Sequence, residues 1–232
     1  MINRSEDTIM KMPNVVSPEE WTRAREALGD KDQAAAKQRA ELAAERRRMP
    51  MVRVDKEYRF DGPSGEVTLR DLFDGRQQLI TYRFFFDEGV SGWPDAGCEG
   101  CSMFTDGSTD LAHLHDRDVT MVLLSPAPQD KLQAYARRMG WDVPWYTILG
   151  DDFTVDFGVA EWFGVNVFLR DGDDVYRTYL LEGPAVEGVG NVWSLLDLTP
   201  FGRRSDDEDS PEGWPQDPAY SWYRRHDEYD RR

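Results

Sequence analysis

No stretch of this 232-residue chain approaches the roughly 20 consecutive apolar residues that a bilayer-spanning helix requires. Nor do residues Met1–Pro13 carry the apolar segment of a secretory signal. The two absences lead to the expectation of a cytoplasmic protein with no membrane partner. Positive charge is scarce as well, with 28 Lys and Arg against 44 Asp and Glu and a formal charge of −16. Nucleic acid and anionic membranes would repel such a surface before contact, so no nucleic-acid partner is expected. No internal repeat is visible. Histidine numbers three and cysteine only two, which excludes a disulfide framework, and no second CxxC or HxxxH completes a four-ligand structural zinc site.

What the chain does have is core material. With 11 Phe, 9 Tyr and 8 Trp, 40% apolar and 31% charged residues, it has the composition of a globular protein long enough to bury a full core. The length suits one domain with extensions.

The first element is announced by Ser17-Pro18-Glu19-Glu20: an N-cap serine, proline at the first helical position and glutamate three residues after the cap. A helix is expected from here to about Arg48, with Gly29 as a weak point or a break. Its apolar residues are mostly Ala with Trp21, Leu28 and Leu42, too sparse for a core helix. It reads as an arm, laid on a domain or on a second subunit and so allowing a homodimer, or as a plain solvated helix. Val52 to Phe60 reads as strand, Asp61 to Gly65 as turn, and Val67 to Phe73 as a further segment before a turn at Asp74-Gly75-Arg76. Leu79 to Phe86, β-branched and aromatic, is the candidate central strand. Val119 to Leu124 reads as a buried strand beside it, and Gln129 to Met139 as a helix stopped by Gly140. Val165 to Arg170 and Val175 to Leu181 flank a turn as a hairpin. Val186 to Leu196 has the pattern of a last helix weakened by Gly188 and Gly190. Beyond Pro200 the chain is acidic, yet Trp214, Tyr220, Trp222 and Tyr223 suggest a tail that docks.

Both cysteines fall in one motif, Cys98-Glu99-Gly100-Cys101, after a loop rich in Gly, Asp and Pro and at the start of a predicted helix. Disulfide exchange needs two sulfurs within bonding reach and one of them ionised. At a helix N-terminus the free N–H groups and the macrodipole favour a thiolate, which makes Cys98 the expected nucleophile. Cys101, one turn on, is placed to attack a mixed disulfide and release product. The alternative is a pair of buried, inert thiols. Glu99 lies between the sulfurs, where a carboxylate opposes thiolate formation unless solvent screens it. Two thiolates also suit copper(I), in a manner similar to the thioredoxin-like Sco copper-delivery proteins. His113 and His115 would lie about four turns, roughly 20 Å, from Cys98 on a continuous helix, which makes them surface or helix-end residues; a break near Gly107 would reopen their role. Trp93-Pro94 either shields the sulfurs or simply packs, and Trp141, Trp145 and Trp162 read as core or rim.

From Leu79 the order is strand, CxxC helix, strand, helix, hairpin, helix, which is the order of a thioredoxin fold. The chain also resembles the thioredoxin-like family grouped as domain of unknown function 899, labelled predicted dithiol-disulfide oxidoreductases. The resemblance rests on Val15-Val16-Ser17 with Trp21, the Ala-Glu-Arg-Arg-Arg run at 44 to 48, Asp71-Leu72-Phe73-Asp74-Gly75-Arg76, and Gly97-Cys98 with Gly100-Cys101-Ser102. It continues through His113-Leu114-His115, Arg117-Asp118-Val119-Thr120, Arg138-Met139-Gly140-Trp141 with Pro144-Trp145, Val167 to Gly172, Asp197-Leu198-Thr199-Pro200 and His226-Asp227-Glu228-Tyr229. It implies an α/β, thioredoxin-like fold over 51–200 with an N-terminal helical arm over 1–50 and a C-terminal acidic and aromatic extension over 201–232. It also implies a redox pair at Cys98 and Cys101. Where the family commonly has proline after the first cysteine, this chain has Glu99, and where the central strand commonly has histidine, it has Arg83. The loop from Glu88 to Ala96 differs too, and Gly164 stands where a thioredoxin would have its cis-proline.

The expected activity is thiol-disulfide exchange through Cys98 and Cys101, without a cofactor, on a protein or small-molecule thiol or disulfide. Two other expectations stand beside it: a copper(I) site on the same sulfurs, and a non-catalytic interaction protein whose arm and tail bind a partner. A peroxidase is a weaker variant, because Asp95-Ala96-Gly97 replaces the threonine and proline usual before such a cysteine.

Overall fold

The structure is a computed structural model and describes residues 12–90, 95–108, 110–159, 163–199, 201, 203–214 and 216–229. Trp93, Pro94 and Trp162 lie outside the described residues. The chain divides into two compact units: the described residues up to Met49 with Leu196–Trp222, and Pro50–Leu195 with the described residues from Tyr223 onward.

In the smaller unit, α1 spans Pro18–Arg46. Its first turn is closed as the sequence predicts: the Glu20 N–H donates to Ser17 Oγ at 3.2 Å and the Ser17 N–H to the Glu20 carboxylate at 3.1 Å. The helix runs through Gly29 without a break; one glycine costs about 1 kcal/mol, too little against 29 helical residues. None of its residues is buried. In the tail part of the same unit, Trp214 packs edge-on against Phe201 with ring centroids 5.1 Å apart.

The larger unit is built on an eight-stranded mixed sheet. Its strands are β1 (Val52–Arg53), β2 (Arg59–Gly62), β3 (Gly65–Thr68), β4 (Gln78–Arg83), β5 (Val119–Ser125), β6 (Trp145–Ile148), β7 (Gly164–Asp171) and β8 (Asp174–Glu182), arranged β1-β8-β7-β4-β5-β6-β2-β3. The central β4 runs parallel to β5, from Gln78 opposite Val119 to Arg83 opposite Leu124, and antiparallel to β7, with Arg83 opposite Gly164. β6 extends the parallel set beyond β5, and the predicted β7–β8 hairpin lies beyond β7. The helices are α2 (Glu99–Asp106), α3 (Ala112–His115), α4 (Gln129–Met139), α5 (Asp152–Asp156) and α6 (Asn191–Leu196). A strand leading into a CxxC helix, parallel pairing to the next strand, and an antiparallel hairpin on the other side of the first strand together make an α/β, thioredoxin-like fold.

Alternation along β4 divides its side chains between the two faces of the sheet. Leu79 joins Leu72, Phe73, Val122, Leu124, Phe153 and Phe168 in one core layer. Tyr82 and Phe84 point the other way, Tyr82 stacking on Phe104 of α2 at 4.3 Å and Phe84 meeting Trp145 at 4.6 Å and Tyr135 of α4 at 6.3 Å. The second layer is thus rich in aromatic rings and seats the CxxC helix.

Several predicted elements differ from those observed. The strand read over Val52 to Phe60 is two strands in opposite halves of the sheet, β1 against β8 and β2 against β6. The polar stretch between them passes α5, where Lys56 pairs with Asp152 and Asp156 at 2.6 and 3.0 Å and the Tyr58 hydroxyl donates to Asp156 at 2.7 Å. Val67 to Phe73 is the end of β3 followed by a 3₁₀ turn over Asp71–Phe73. Val186 to Leu196 is a 3₁₀ segment, Gly183–Val189, and then the short α6, with the interruption at Gly190. β6 and α5 have no counterpart among the predicted elements, although Trp145-Tyr146-Thr147-Ile148 carries strand-forming residues throughout.

Candidate active site

The dithiol is positioned by the exit of β4. Phe84 keeps one further bond to β5, its N–H donating to the Leu124 carbonyl at 2.9 Å, and after Phe86 the chain loops away and returns at Gly97. There the Cys98 N–H donates to the Phe85 carbonyl at 3.0 Å, and the Phe85 N–H donates to Cys101 Sγ at 3.4 Å. Cys98 is the N-cap of α2, so the sequence prediction of a cysteine at a helix start holds. Ser102 fixes the first turn. Its N–H and hydroxyl both donate to the Cys98 carbonyl, at 3.1 and 2.9 Å, and its oxygen shares a hydrogen bond of 2.8 Å with the Tyr135 hydroxyl.

The two cysteines stand 3.6 Å apart and both are free thiols, Cys98 partly exposed and Cys101 buried. The Cys98 thiol is lowered to about 7. The largest cause is the hydrogen bond from the Cys101 thiol; the N–H groups of Cys101 and Gly100 add to it, while burial and the Glu99 carboxylate oppose it. Cys101 is pushed well above the ordinary thiol range, chiefly by burial and then by its bond to Cys98. One proton therefore resides on the inner sulfur and serves the outer one. At neutral pH the thiolate fraction of Cys98 therefore exceeds the few per cent of a free thiol.

Beneath the pair, the buried Tyr82 phenol is held protonated, by burial first and by the neighbouring sulfurs next. It hydrogen-bonds Cys101 and works against the upward shift of that thiol. Arg83 is buried too, 4% exposed. Its Nη1 donates to the Phe84 carbonyl at 2.5 Å, and burial depresses it while the charge of Cys101 supports it. The strand position that departs from the family pattern thus places a cation within electrostatic reach of the inner sulfur.

The C-terminal residues of the same unit reach this site, and sequence reasoning assigned them no part in it. Arg225 Nη2 donates to the Gly97 carbonyl at 2.6 Å, and Nη1 faces Glu228 at 2.9 Å and Glu99 at 3.5 Å. The Tyr223 ring lies against Gly100, where any Cβ would stand 3.0 Å from it, and the Trp193 indole donates to the Tyr223 hydroxyl at 2.7 Å. Arg138 of α4 anchors the segment through Asp227, at 2.7 and 2.9 Å, and Glu228, at 3.1 Å. His226-Asp227-Glu228-Tyr229 was legible as a family motif, but nothing in it spoke of proximity to cysteines more than a hundred residues away.

The helix after the motif stops at Gly107, and His113 and His115 sit on the separate α3, both exposed. Among the described residues no interaction joins either one to the sulfurs, and no group of three or more His, Cys, Asp and Glu that could hold a metal ion is present. Also among the described residues, no helix is long and apolar enough to cross a membrane. Trp141 and Trp145 are core, 6% and 1% exposed.

A family model described as bacterial protein of unknown function, DUF899, matches residues 10–229. The chain belongs to the DUF899 family. Among curated proteins none matches. Solved structures similar to this DUF899 protein include a candidate protein disulfide isomerase from Bacteroides thetaiotaomicron, at 15% identity over 65% of this chain and 92% of that one, with a TM-score of 0.42. They also include the peroxidoxin BcpB from Mycobacterium tuberculosis, at 16% identity over 56% and 86% with a TM-score of 0.40. A third is the exposed lipoprotein thioredoxin of Streptococcus pneumoniae, at 12% identity over 58% and 97% with a TM-score of 0.39.

Proposed function

We propose that this DUF899 protein is a thiol-disulfide oxidoreductase whose substrate is a disulfide-bearing protein or small molecule. The observation that carries the reading is the asymmetry of the pair: an outer, partly exposed Cys98 lowered to about 7 beside an inner, buried Cys101 held protonated. In the first step the Cys98 thiolate attacks one sulfur of the substrate, forming a mixed disulfide and expelling the other sulfur as a thiolate. In the second, Cys101 gives up its proton and attacks Cys98 Sγ. The Cys98–Cys101 disulfide forms and the second substrate thiolate leaves, so that two electrons have passed to the substrate. An external dithiol reductant returns them to the pair.

The test is reduction of insulin and of oxidised glutathione by the dithiol-reduced protein and its single-cysteine variants. Cys98→Ser is expected to abolish turnover, and Cys101→Ser to halt after one event with a trapped mixed disulfide on Cys98. Full activity in Cys98→Ser would sink the proposal. So would stoichiometric copper(I) on anaerobically purified protein with no exchange activity, which is the outcome the metal-binding alternative requires.

A further inference from the structure

Thiol exchange explains the two sulfurs but not Arg225, a guanidinium only 9% exposed that reaches the site from 128 residues beyond Gly97. It engages the chain on both sides of the nucleophile: the Gly97 carbonyl before it, at 2.6 Å, and the Glu99 carboxylate after it, at 3.5 Å. A buried cation is costly unless its position is repaid in charge pairing, and Arg225 keeps that position with its Nε buried and unpaired among the described residues. Glu228 supplies one counter-charge, but that carboxylate is shared with Arg138.

The structure assigns Arg225 as the positioning residue of the dithiol: it holds the Gly97 carbonyl in place and pairs with Glu99, so that the carboxylate inside the CxxC motif opposes ionisation of Cys98 less than an unpaired one would. The assignment rests on the dithiol reading above and adds to it the origin of the charge balance at the nucleophile. Glu99 and Cys101 on α2 and Tyr82 on β4 act on Cys98 directly, and around them stand Arg83 at the end of β4, Tyr135 and Arg138 on α4, and Tyr223, Arg225 and Glu228 on the C-terminal segment. Of the cations in that set, Arg225 is the one with a contact to Glu99 among the described residues. Arg138 is committed to Asp227 and Glu228, and Arg83 lies on the sheet. Without Arg225, Glu228 would keep Arg138, while Glu99 would be left with no ion-pair partner among the described residues.

The experiment is the pH dependence of iodoacetamide alkylation of Cys98 in the reduced full-length chain, for the wild type, Arg225→Gln, Glu99→Gln and the double variant. Arg225→Gln is expected to raise the apparent thiol pKa by about one unit, roughly a tenfold slower alkylation at pH 6. The double variant is expected to return to within about twofold of wild type, because the charge that needed cancelling is gone. An unshifted profile in Arg225→Gln, or no recovery in the double variant, overturns the assignment, since a merely structural Arg225 would not be rescued by Glu99→Gln. Should Arg225→Gln fail to fold, Arg225→Lys carries the test. It keeps the charge, so its profile should stay at the wild-type pH, and a displaced profile in a folded Arg225→Lys overturns the assignment. The readout needs no disulfide substrate. A protein that reduces no disulfide yet shows these shifts would end the oxidoreductase reading and leave the role of Arg225 standing.

Discussion

The Phe85 backbone N–H donates to Cys101 Sγ at 3.4 Å, so the inner sulfur takes a main-chain hydrogen bond from the end of the central strand. The same residue accepts the Cys98 N–H at its carbonyl, at 3.0 Å. One residue of the loop thereby sets the inner sulfur and the backbone of the outer one. Any thiolate that forms at Cys101 meets this main-chain donor and, beside it, the Tyr82 hydroxyl, which hydrogen-bonds the same sulfur.

Replacing Tyr82 with phenylalanine removes that second donor while preserving the ring that stacks on Phe104 at 4.3 Å. A hydrogen bond to a charged group contributes about 1.5–3 kcal/mol. Resolution of the mixed disulfide by Cys101 should therefore slow by about tenfold or more, with the first attack by Cys98 little affected. Rapid-quench measurement of the lifetime of the mixed disulfide checks this. A lifetime equal to that of the wild type would show that Phe85 alone supports the Cys101 thiolate.

Gly97 is where the returning loop passes closest to the aromatic layer. A Cβ there would overlap the Phe84 ring and stand 2.9 Å from both the Phe85 carbonyl and Phe86 Cβ. Phe84 and Phe86 are both fully buried and have no room to retreat. Gly97→Ala should destabilise the protein by about 1–3 kcal/mol, a fall in Tm of several degrees for a chain of this length. It should also loosen the Phe85–Cys98 bond. Thermal denaturation followed by circular dichroism, with thiol alkylation on the same samples, measures both effects; a Gly97→Ala variant as stable and as reactive as wild type would contradict the packing argument.

Arg138 ties the C-terminal segment to α4 with a two-pronged grip on Asp227. The pair is partly solvent-exposed, so Arg138→Ala should cost only about 1 kcal/mol of global stability. Locally it should matter more, because it frees the segment that carries Arg225. Amide exchange of residues 223–229 is expected to accelerate selectively, by about tenfold, with α4 itself unchanged. Uniform exchange across the unit would mean that other contacts hold the segment.

The elements legible in the sequence were those whose signal is local. Ser17 to Glu20 spells a capped helix start and Gln129 to Met139 is amphipathic up to Gly140, and both appear where expected; the strand read over Leu79 to Phe86 is observed as β4, which ends at Arg83. The placement of Cys98 at a helix start was legible for the same reason. Pairing partners were not. Nothing local to Val52–Phe60 tells that its two ends join opposite halves of the sheet, because each end is chosen by β8 and β6, far along the chain. The opposing influence of Glu99 on Cys98 was read correctly, but the cation that meets it was beyond a local reading, since Arg225 in sequence is one more charge in a tail full of them.

The shared proton of the pair also predicts how the stability of the reduced protein depends on pH. Cys98 is lowered from 9.0 to about 7 on folding, so it contributes stability that is complete above its unfolded value and is lost as pH falls through about 7. Cys101 is shifted the other way, above 9.0, and its contribution is complete below 9.0 and is lost as pH rises beyond that. Stability of the dithiol form should therefore climb between about pH 7 and pH 9, by about 1–2 kcal/mol, and decline above. Urea denaturation of the reduced protein across that range measures the slope. Cys98→Ser should abolish the rise, and the oxidised protein, with no thiol to titrate, should show none of it; a slope that persists in either would place its origin outside the pair.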